Sequence, residues 1–221
     1  MIEHESGQVI TLDEITYDRE ALEKFVSQFG NECIHGSPKI GPNDTPTIGF
    51  NTIQPENGPD GLYSVEYPIV QNLLNKFAIN ISEYSIQISY YPPGFVLPAH
   101  TDGEWNAHIM FPILPEDGGA ELIFHDVPVS EHIRGGDYSK YEDKVDFTIK
   151  YSTQHPTIFN TQIPHSAAMV IDEPRIYLKF RIAEIGTDRV SGDPAHDTGV
   201  HTDGYTWNEL KQMAKDGTLI K

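Results

Sequence analysis

His100, Thr101 and Asp102 stand in a row, and His165 lies further along the chain, ahead of a strand-like run that carries Arg175. Two imidazoles and one carboxylate can occupy one face of a divalent metal and leave its other positions open. A nitrogen and oxygen set without sulfur suits Fe(II), with Mn, Co, Ni or Zn as possible substitutes. Metal-centred catalysis is the first expectation, with His100, Asp102 and His165 as the ligands.

Such ligands need a rigid frame. From residue 84 onward, short β-branched and aromatic runs alternate with Gly and Pro, the pattern of an all-β barrel or sandwich. Strands are expected near 84–91, 95–100, 106–113, 120–125, 156–160, 165–171 and 175–184. Two helices precede them. Leu22, Phe25, Val26 and Phe29 recur at helical spacing behind Asp18 as N-cap and before Gly30 as a stop, and Val70, Leu73, Leu74 and Phe77 share a face after Pro68. Thr206 and Glu209 have capping-box spacing ahead of Trp207, Leu210 and Met213, which predicts a short C-terminal helix ending at Gly217. Residues 36–62, rich in Gly, Pro and Asn, read as a long loop. Residues 127–155, with Gly135-Gly136 and three tyrosines, read as an insertion or lid. Helices followed by strands suggest a mainly β jelly roll with the N-terminal helices packed on one outer face.

Side-chain alternation tests whether the strands share a polar interior, because successive residues of a strand point to opposite faces. Arg175, Tyr177, Lys179 and Arg181 fall on one face of their run, opposite Ile176, Leu178, Phe180 and Ile182. Gln87, Ser89 and Tyr91 fall opposite Ile86, Ile88 and Tyr90, and Asn106 and His108 fall opposite Ala107, Ile109 and Phe111. The apolar faces suit the helices, and the polar faces suit a cavity that houses a metal.

Composition narrows the partners. With 15 Lys and Arg against 33 Asp and Glu, the formal net charge of -18 opposes attraction to nucleic acid or to anionic membrane surfaces. The 221 residues suit one domain, divided as helical support and loop over 1–83, core over 84–184 and tail over 185–221. A single cysteine, Cys33, and a start without signal-peptide character point to the cytoplasm. No apolar run approaches the roughly 20 residues that span a bilayer.

In order along the chain, Tyr91-Pro92-Pro93-Gly94 precedes His100-Thr101-Asp102, Gly118-Gly119 opens a strand-like run, Phe159-Asn160 precedes His165, and Arg175 follows ten residues later. This ordered set, over about residues 84–184, resembles the 2-oxoglutarate- and Fe(II)-dependent oxygenases, particularly the prolyl hydroxylase and aspartyl/asparaginyl hydroxylase-like branches. The resemblance implies a cupin-like double-stranded β-helix in which 2-oxoglutarate and O2 fill the open metal positions. Oxidative decarboxylation would then release succinate and CO2 and oxidise an unactivated C–H bond of an amino-acid residue, peptide or small metabolite. Hydroxylation is the default outcome. It also implies that Arg175 pairs with the distal carboxylate of 2-oxoglutarate, since a guanidinium fork matches a carboxylate in two hydrogen bonds. Tyr91 would add a phenolic hydrogen bond.

Several assignments stay open at this level. Arg181 competes with Arg175 for the cosubstrate, and Tyr90 with Tyr91 if the register shifts by one. His108 could face the cavity or pack elsewhere, and His125 and His155 read as structural or surface residues. Trp105, Asn106, Tyr138 and Tyr141 could touch a substrate or serve packing. A second His-Thr-Asp-Gly at 201–204 has no later histidine to complete a triad and reads as coincidence. Two rival readings remain: a cupin-like metal enzyme that does not use 2-oxoglutarate, and a non-catalytic jelly-roll binding module.

Overall fold

The computed structural model describes residues 1–27, 39–40, 46–47, 51–52, 67–79, 81, 86–91, 93–94, 97–103, 105–115, 121–152, 154–168, 172–183 and 204–221. In chain order the elements are β1 (Ile2–Glu3), β2 (Val9–Thr11), α1 (Arg19–Ser27), β3 (Lys39–Ile40), β4 (Pro46–Thr47), β5 (Asn51–Thr52) and α2 (Pro68–Leu74). There follow β6 (Ile86–Tyr91), β7 (Leu97–His100), β8 (Trp105–Leu114), β9 (Glu121–His125), β10 (Val145–Lys150), β11 (Thr157–Asn160), β12 (His165–Ala167), β13 (Arg175–Ala183) and α3 (Trp207–Lys215).

Two antiparallel sheets carry the architecture, a seven-stranded one in the order β1-β2-β11-β8-β13-β6-β5 and a four-stranded one in the order β10-β9-β12-β7. This is a jelly-roll arrangement. The alternation along β13 and β6 divides the seven-stranded sheet as expected. Its outer residues, among them Ile86, Ile88, Ile109, Phe111, Leu178 and Phe180, form one core with Leu22, Phe25, Val26, Val70, Leu73, Trp207 and Leu210 of the helices. Its inner residues Val9, Tyr91, Met110, Phe159 and Tyr177 meet Leu122 and Phe124 of the smaller sheet in a second core.

The helix signals act as capping chemistry predicts. Asp18 Oδ1 accepts from the Ala21 amide at 3.0 Å ahead of α1, and Thr206 and Glu209 form a reciprocal capping box on α3. Phe29 and Gly30 lie outside the described residues.

Three regions depart from the sequence reading. β1 and β2 precede the first helix and extend the larger sheet through β11; runs of two and three residues are too short to show a period. Within the stretch taken as a loop, Asn51 and Thr52 pair with Tyr90 and Ser89 at the sheet's other edge. The insertion over 127–155 contains β10, which pairs with β9 along its length and closes the smaller sheet. Its sequence, Val-Asp-Phe-Thr-Ile-Lys, does alternate, with Phe147 and Ile149 partly buried against the second core, but the charged residues and glycines around it hid the run in the reading of 127–155 as an insertion.

Candidate metal centre and adjoining cavity

The smaller sheet brings the histidines together. His165 on β12 is the direct cross-strand partner of His100 on β7, and the two ring centres lie 4.5 Å apart. Asp102 follows the end of β7, held where its amide donates to Thr161 O at 3.1 Å. One ligand atom from each of His100, Asp102 and His165 lies within 4.8 Å of the others, with His100 Nε2 and Asp102 Oδ1 separated by 3.9 Å.

Their hydrogen bonds prepare them for a metal. His100 Nδ1 lies 2.8 Å from Pro98 O and His165 Nδ1 lies 2.9 Å from Ile163 O. A carbonyl only accepts, so each Nδ1 carries the proton and each Nε2 keeps its lone pair for an ion. Burial, and then the neighbouring His100, hold the His165 imidazole well below its usual pKa. It therefore stays neutral, as a ligand must. Three nitrogen and oxygen donors on one side, without sulfur, fit a divalent ion such as Fe(II).

His108 faces the same interior, with Nε2 at 3.3 Å from Asp102 Oδ2. It braces the oxygen that the triad leaves over. His125 supports the other side: its Nε2 lies 2.7 Å from Ser166 Oγ, beside His165, and its Nδ1 lies 3.1 Å from Tyr141 O.

A strap over Ile133–Tyr138 fastens the ligand segment from outside. Tyr138 N donates to Ala99 O at 2.7 Å, Thr101 N to Gly136 O at 3.1 Å and Gly135 N to Asp102 O at 3.1 Å. The Thr101 hydroxyl donates to Ile133 O at 2.6 Å and accepts from Gly136 N at 3.0 Å. Gly136 has no room for a side chain, since a Cβ there would come within 2.7 Å of the Tyr138 ring. Residues 132–138 are therefore a brace rather than a lid. Thr101→Val removes two hydrogen bonds, at about 0.5–1.5 kcal/mol each, while Gly136 N and Ile133 O keep their 3.2 Å bond to each other. A urea unfolding series should show that loss, metal affinity should fall roughly 10-fold or more, and Thr101→Ser should restore most of both.

A partly open cavity adjoins the triad between the two sheets. Tyr91, Tyr151, Tyr177 and Lys179 contribute polar groups to its lining, and Leu97, Met110, Leu122 and Phe159 contribute apolar ones. Burial keeps the hydroxyls of Tyr91 and Tyr177 protonated, with pKa values above the usual phenol range. Burial pulls Lys179 down to about 8, and the Asp102 charge opposes that fall.

Arg175 is buried but does not line this cavity. Its guanidinium stacks 5.0 Å from the Tyr91 ring centre, and Nη1 donates to Ala168 O at 2.6 Å. Six buried side-chain atoms among the described residues lack a well-formed hydrogen bond: Ser89 Oγ, Asp102 Oδ2, His108 Nε2, Thr157 Oγ1, Arg175 Nη2 and the Tyr177 hydroxyl. Five belong to inward positions of the larger sheet and the sixth is Asp102 itself. Three of them, Asp102, His108 and Tyr177, line the cavity, where His108 Nε2 and Asp102 Oδ2 face each other at 3.3 Å.

The other candidates fall out as follows. Arg181 does not line the cavity either; its guanidinium lies 4.1 Å from the Trp105 ring centre. Tyr138 and Tyr141 pack with Ala99 and Val127, and Asn106 Nδ2 donates to Tyr205 O at 2.8 Å. All three serve structure. His155 is structural too, with Nδ1 at 2.9 Å from Ile15 O. The Tyr90 side chain, Gly118-Gly119 and His201 to Asp203 lie outside the described residues. Lys179 and Tyr177 received no role from the sequence although alternation put both on the polar face. Tyr151 continues the alternation of Val145, Phe147 and Ile149, a signal that the sequence reading passed over.

No protein-family model matches the chain, and no curated protein matches it in sequence. Solved structures do resemble it. AviO1 from Streptomyces viridochromogenes Tue57 superposes with a TM-score of 0.50 at 10% identity, covering 83% of this chain and 93% of that one. HygX from Streptomyces hygroscopicus, solved with nickel and 2-oxoglutarate bound, gives 0.46 at 9% identity, covering 91% and 93%. The likeness to AviO1 is one of fold. With the two-sheet topology, it defines the chain as a cupin-like jelly roll that carries a His-Asp-His cluster. Among the described residues no helix is long and apolar enough to cross a membrane.

Proposed function

We propose that the chain is an Fe(II)- and 2-oxoglutarate-dependent oxygenase of the cytoplasm that hydroxylates an unactivated C–H bond of a small molecule or peptide. The observation that carries this reading is that the three-ligand cluster, its Nε2 positions free, lines one cavity together with the Lys179 ammonium and the hydroxyls of Tyr91, Tyr151 and Tyr177. The cluster suits a metal and the ammonium and hydroxyls suit a carboxylate, as a short dicarboxylate held beside the ion requires. Bound Fe(II) supplies the activation of O2 that is coupled to decarboxylation of 2-oxoglutarate to succinate and CO2.

The chain's residues divide the work. His100, Asp102 and His165 hold the ion, and His108 and the strap fix Asp102. Lys179 offers an ammonium to the distal carboxylate, and Tyr91, Tyr151 and Tyr177 offer hydroxyl donors. Arg175 stacks on the Tyr91 ring and holds it in place. Met110, Leu122 and Phe159 keep water from the cosubstrate, which strengthens every polar contact there.

Anaerobic titration of the Fe(II)-loaded protein with 2-oxoglutarate tests the reading. A weak visible charge-transfer band of bidentate chelation is expected, absent in His165→Ala and needing more cosubstrate in Lys179→Met. Fe(II) binding without any band, together with substrate turnover that consumes no 2-oxoglutarate, would move the assignment to a cupin-like enzyme of another kind.

A further inference from the structure

One row of the smaller sheet contains both histidine ligands, and it does not end at His100. Phe124 on β9 is the cross-strand partner of His165, His165 is that of His100, and His100 is that of Asp137 on the strap. The bonds that make the last link, Thr101 N to Gly136 O and Tyr138 N to Ala99 O, flank the pair rather than join it. His100 and Asp137 are thus a non-hydrogen-bonded pair, the closer of the two antiparallel kinds, with side chains on one face and Cβ atoms about 5 Å apart. That face is the one on which His100 meets His165, so the Asp137 carboxylate stands beside the metal cluster.

Asp137 is exposed. His100 beside it is the most open of the three ligands, with 26% of its side chain accessible against 19% for Asp102, while His165 is buried. Ser139 donates its hydroxyl and its amide to Asp137 Oδ1, at 2.5 and 2.9 Å. These bonds hold the carboxyl below its usual pKa, and Oδ2 accepts no hydrogen bond among the described residues. The basic residues nearby on the strap have partners of their own: Lys140 Nζ lies 2.7 Å from Glu131 Oε2, and Arg134 Nη1 donates to Gly103 O at 3.3 Å. Two neutral imidazoles and one carboxylate leave a divalent ion with a single net positive charge, which a bound 2-oxoglutarate dianion more than cancels. A further carboxylate at its edge makes the approach to the ion anionic, on a chain whose net charge is already -18. Cations gather at such a place and anions are repelled.

We propose that Asp137 anchors a cationic group of the primary substrate, so that the substrate is an amine rather than an organic acid or a neutral compound. This rests on the oxygenase reading, in which the ion and 2-oxoglutarate occupy the cluster and its cavity and the second reactant approaches past His100.

Paramagnetic relaxation tests the anchor, with tert-butylammonium and the near-isosteric neutral tert-butanol as probes. In anaerobic protein loaded with Mn(II) and saturating 2-oxoglutarate, the methyl resonance of the cation should broaden about threefold more than that of the alcohol, the size expected of one exposed ion pair. Asp137→Asn keeps an oxygen for Ser139 and should bring the two probes level without changing Mn(II) affinity. Asp137→Glu should recover part of the difference. Glu20→Gln removes the same charge from α1, on the outer face of the larger sheet, and should leave the difference in place. Equal broadening of the two probes in the parent chain overturns the anchor, as does an undiminished difference in Asp137→Asn or an equal loss in Glu20→Gln. A fall in Mn(II) affinity of about 10-fold or more in Asp137→Asn also overturns it, by giving Asp137 to the metal. If the parent chain binds no 2-oxoglutarate yet the Mn(II) protein keeps the Asp137-dependent preference for the cation, the anchor stands and the oxygenase reading fails.

Discussion

His165→Ala is expected to lose metal binding by at least about a hundredfold, because even the loss of a group that merely orients a ligand costs roughly 10–100-fold. Turnover should disappear with it. The imidazole is buried, faces His100 directly across the β7–β12 ladder, and is held as a neutral ligand by its Nδ1 bond to Ile163 O. No described side chain can replace it, since His108 is already turned to the other oxygen of Asp102. A thermal-shift titration separates loss of metal from loss of fold. Mn(II) should raise the melting temperature of the parent chain by mass action and leave the variant where it was. Unchanged affinity for Mn(II) in the variant would remove His165 from the ligand set. In the metal-free parent chain, burial also keeps His108 and His165 from taking up protons that the unfolded chain accepts. Stability should therefore fall as pH drops below the ordinary imidazole range near 6.5. Replacing either histidine should flatten that fall.

The sequence made the ligands legible because their chemistry is local: His100 and Asp102 are two residues apart, and His165 opens a short strand. Alternation was equally direct along β6, β8 and β13, where one apolar face meets helices and one polar face meets the cavity. The contributions of tertiary contact were hidden. Gly135-Gly136 reads as loop chemistry in the sequence, yet Gly136 is where the strap passes the Tyr138 ring at a distance that excludes a Cβ. Tyr151 continues the alternation of Val145, Phe147 and Ile149 just beyond β10, but alternation alone does not show that this short run pairs with β9 and brings Tyr151 to the cavity. Arg175 and Lys179 share one face of one strand, and alternation alone gives no depth. Only the packing shows that Lys179 borders the cavity while Arg175 backs Tyr91.

That difference in depth leads to the second large effect. Lys179→Met should weaken 2-oxoglutarate binding by about 2–5 kcal/mol, from roughly 30-fold to a few thousandfold, because a carboxylate would be buried without its charged partner. The same change should leave the metal-free fold as stable or more so. Burial lowers the Lys179 pKa from 10.5 to about 8, which corresponds to about 3 kcal/mol of unfavourable charge burial at neutral pH. Methionine has nearly the same shape and carries no such cost. The pH dependence has two opposite signs. Between about 8 and 10.5 the unfolded chain still binds the proton that the folded chain has released, so the parent's stability should rise with pH and approach that of the variant. Over the same range 2-oxoglutarate affinity should fall, because the ammonium that receives the carboxylate becomes an amine. Calorimetric titration at pH 7 and pH 9.5, with denaturant unfolding at the same values, measures both. An affinity that ignores pH and is lost only in Arg175→Met would transfer the anchor from Lys179 to the guanidinium behind Tyr91.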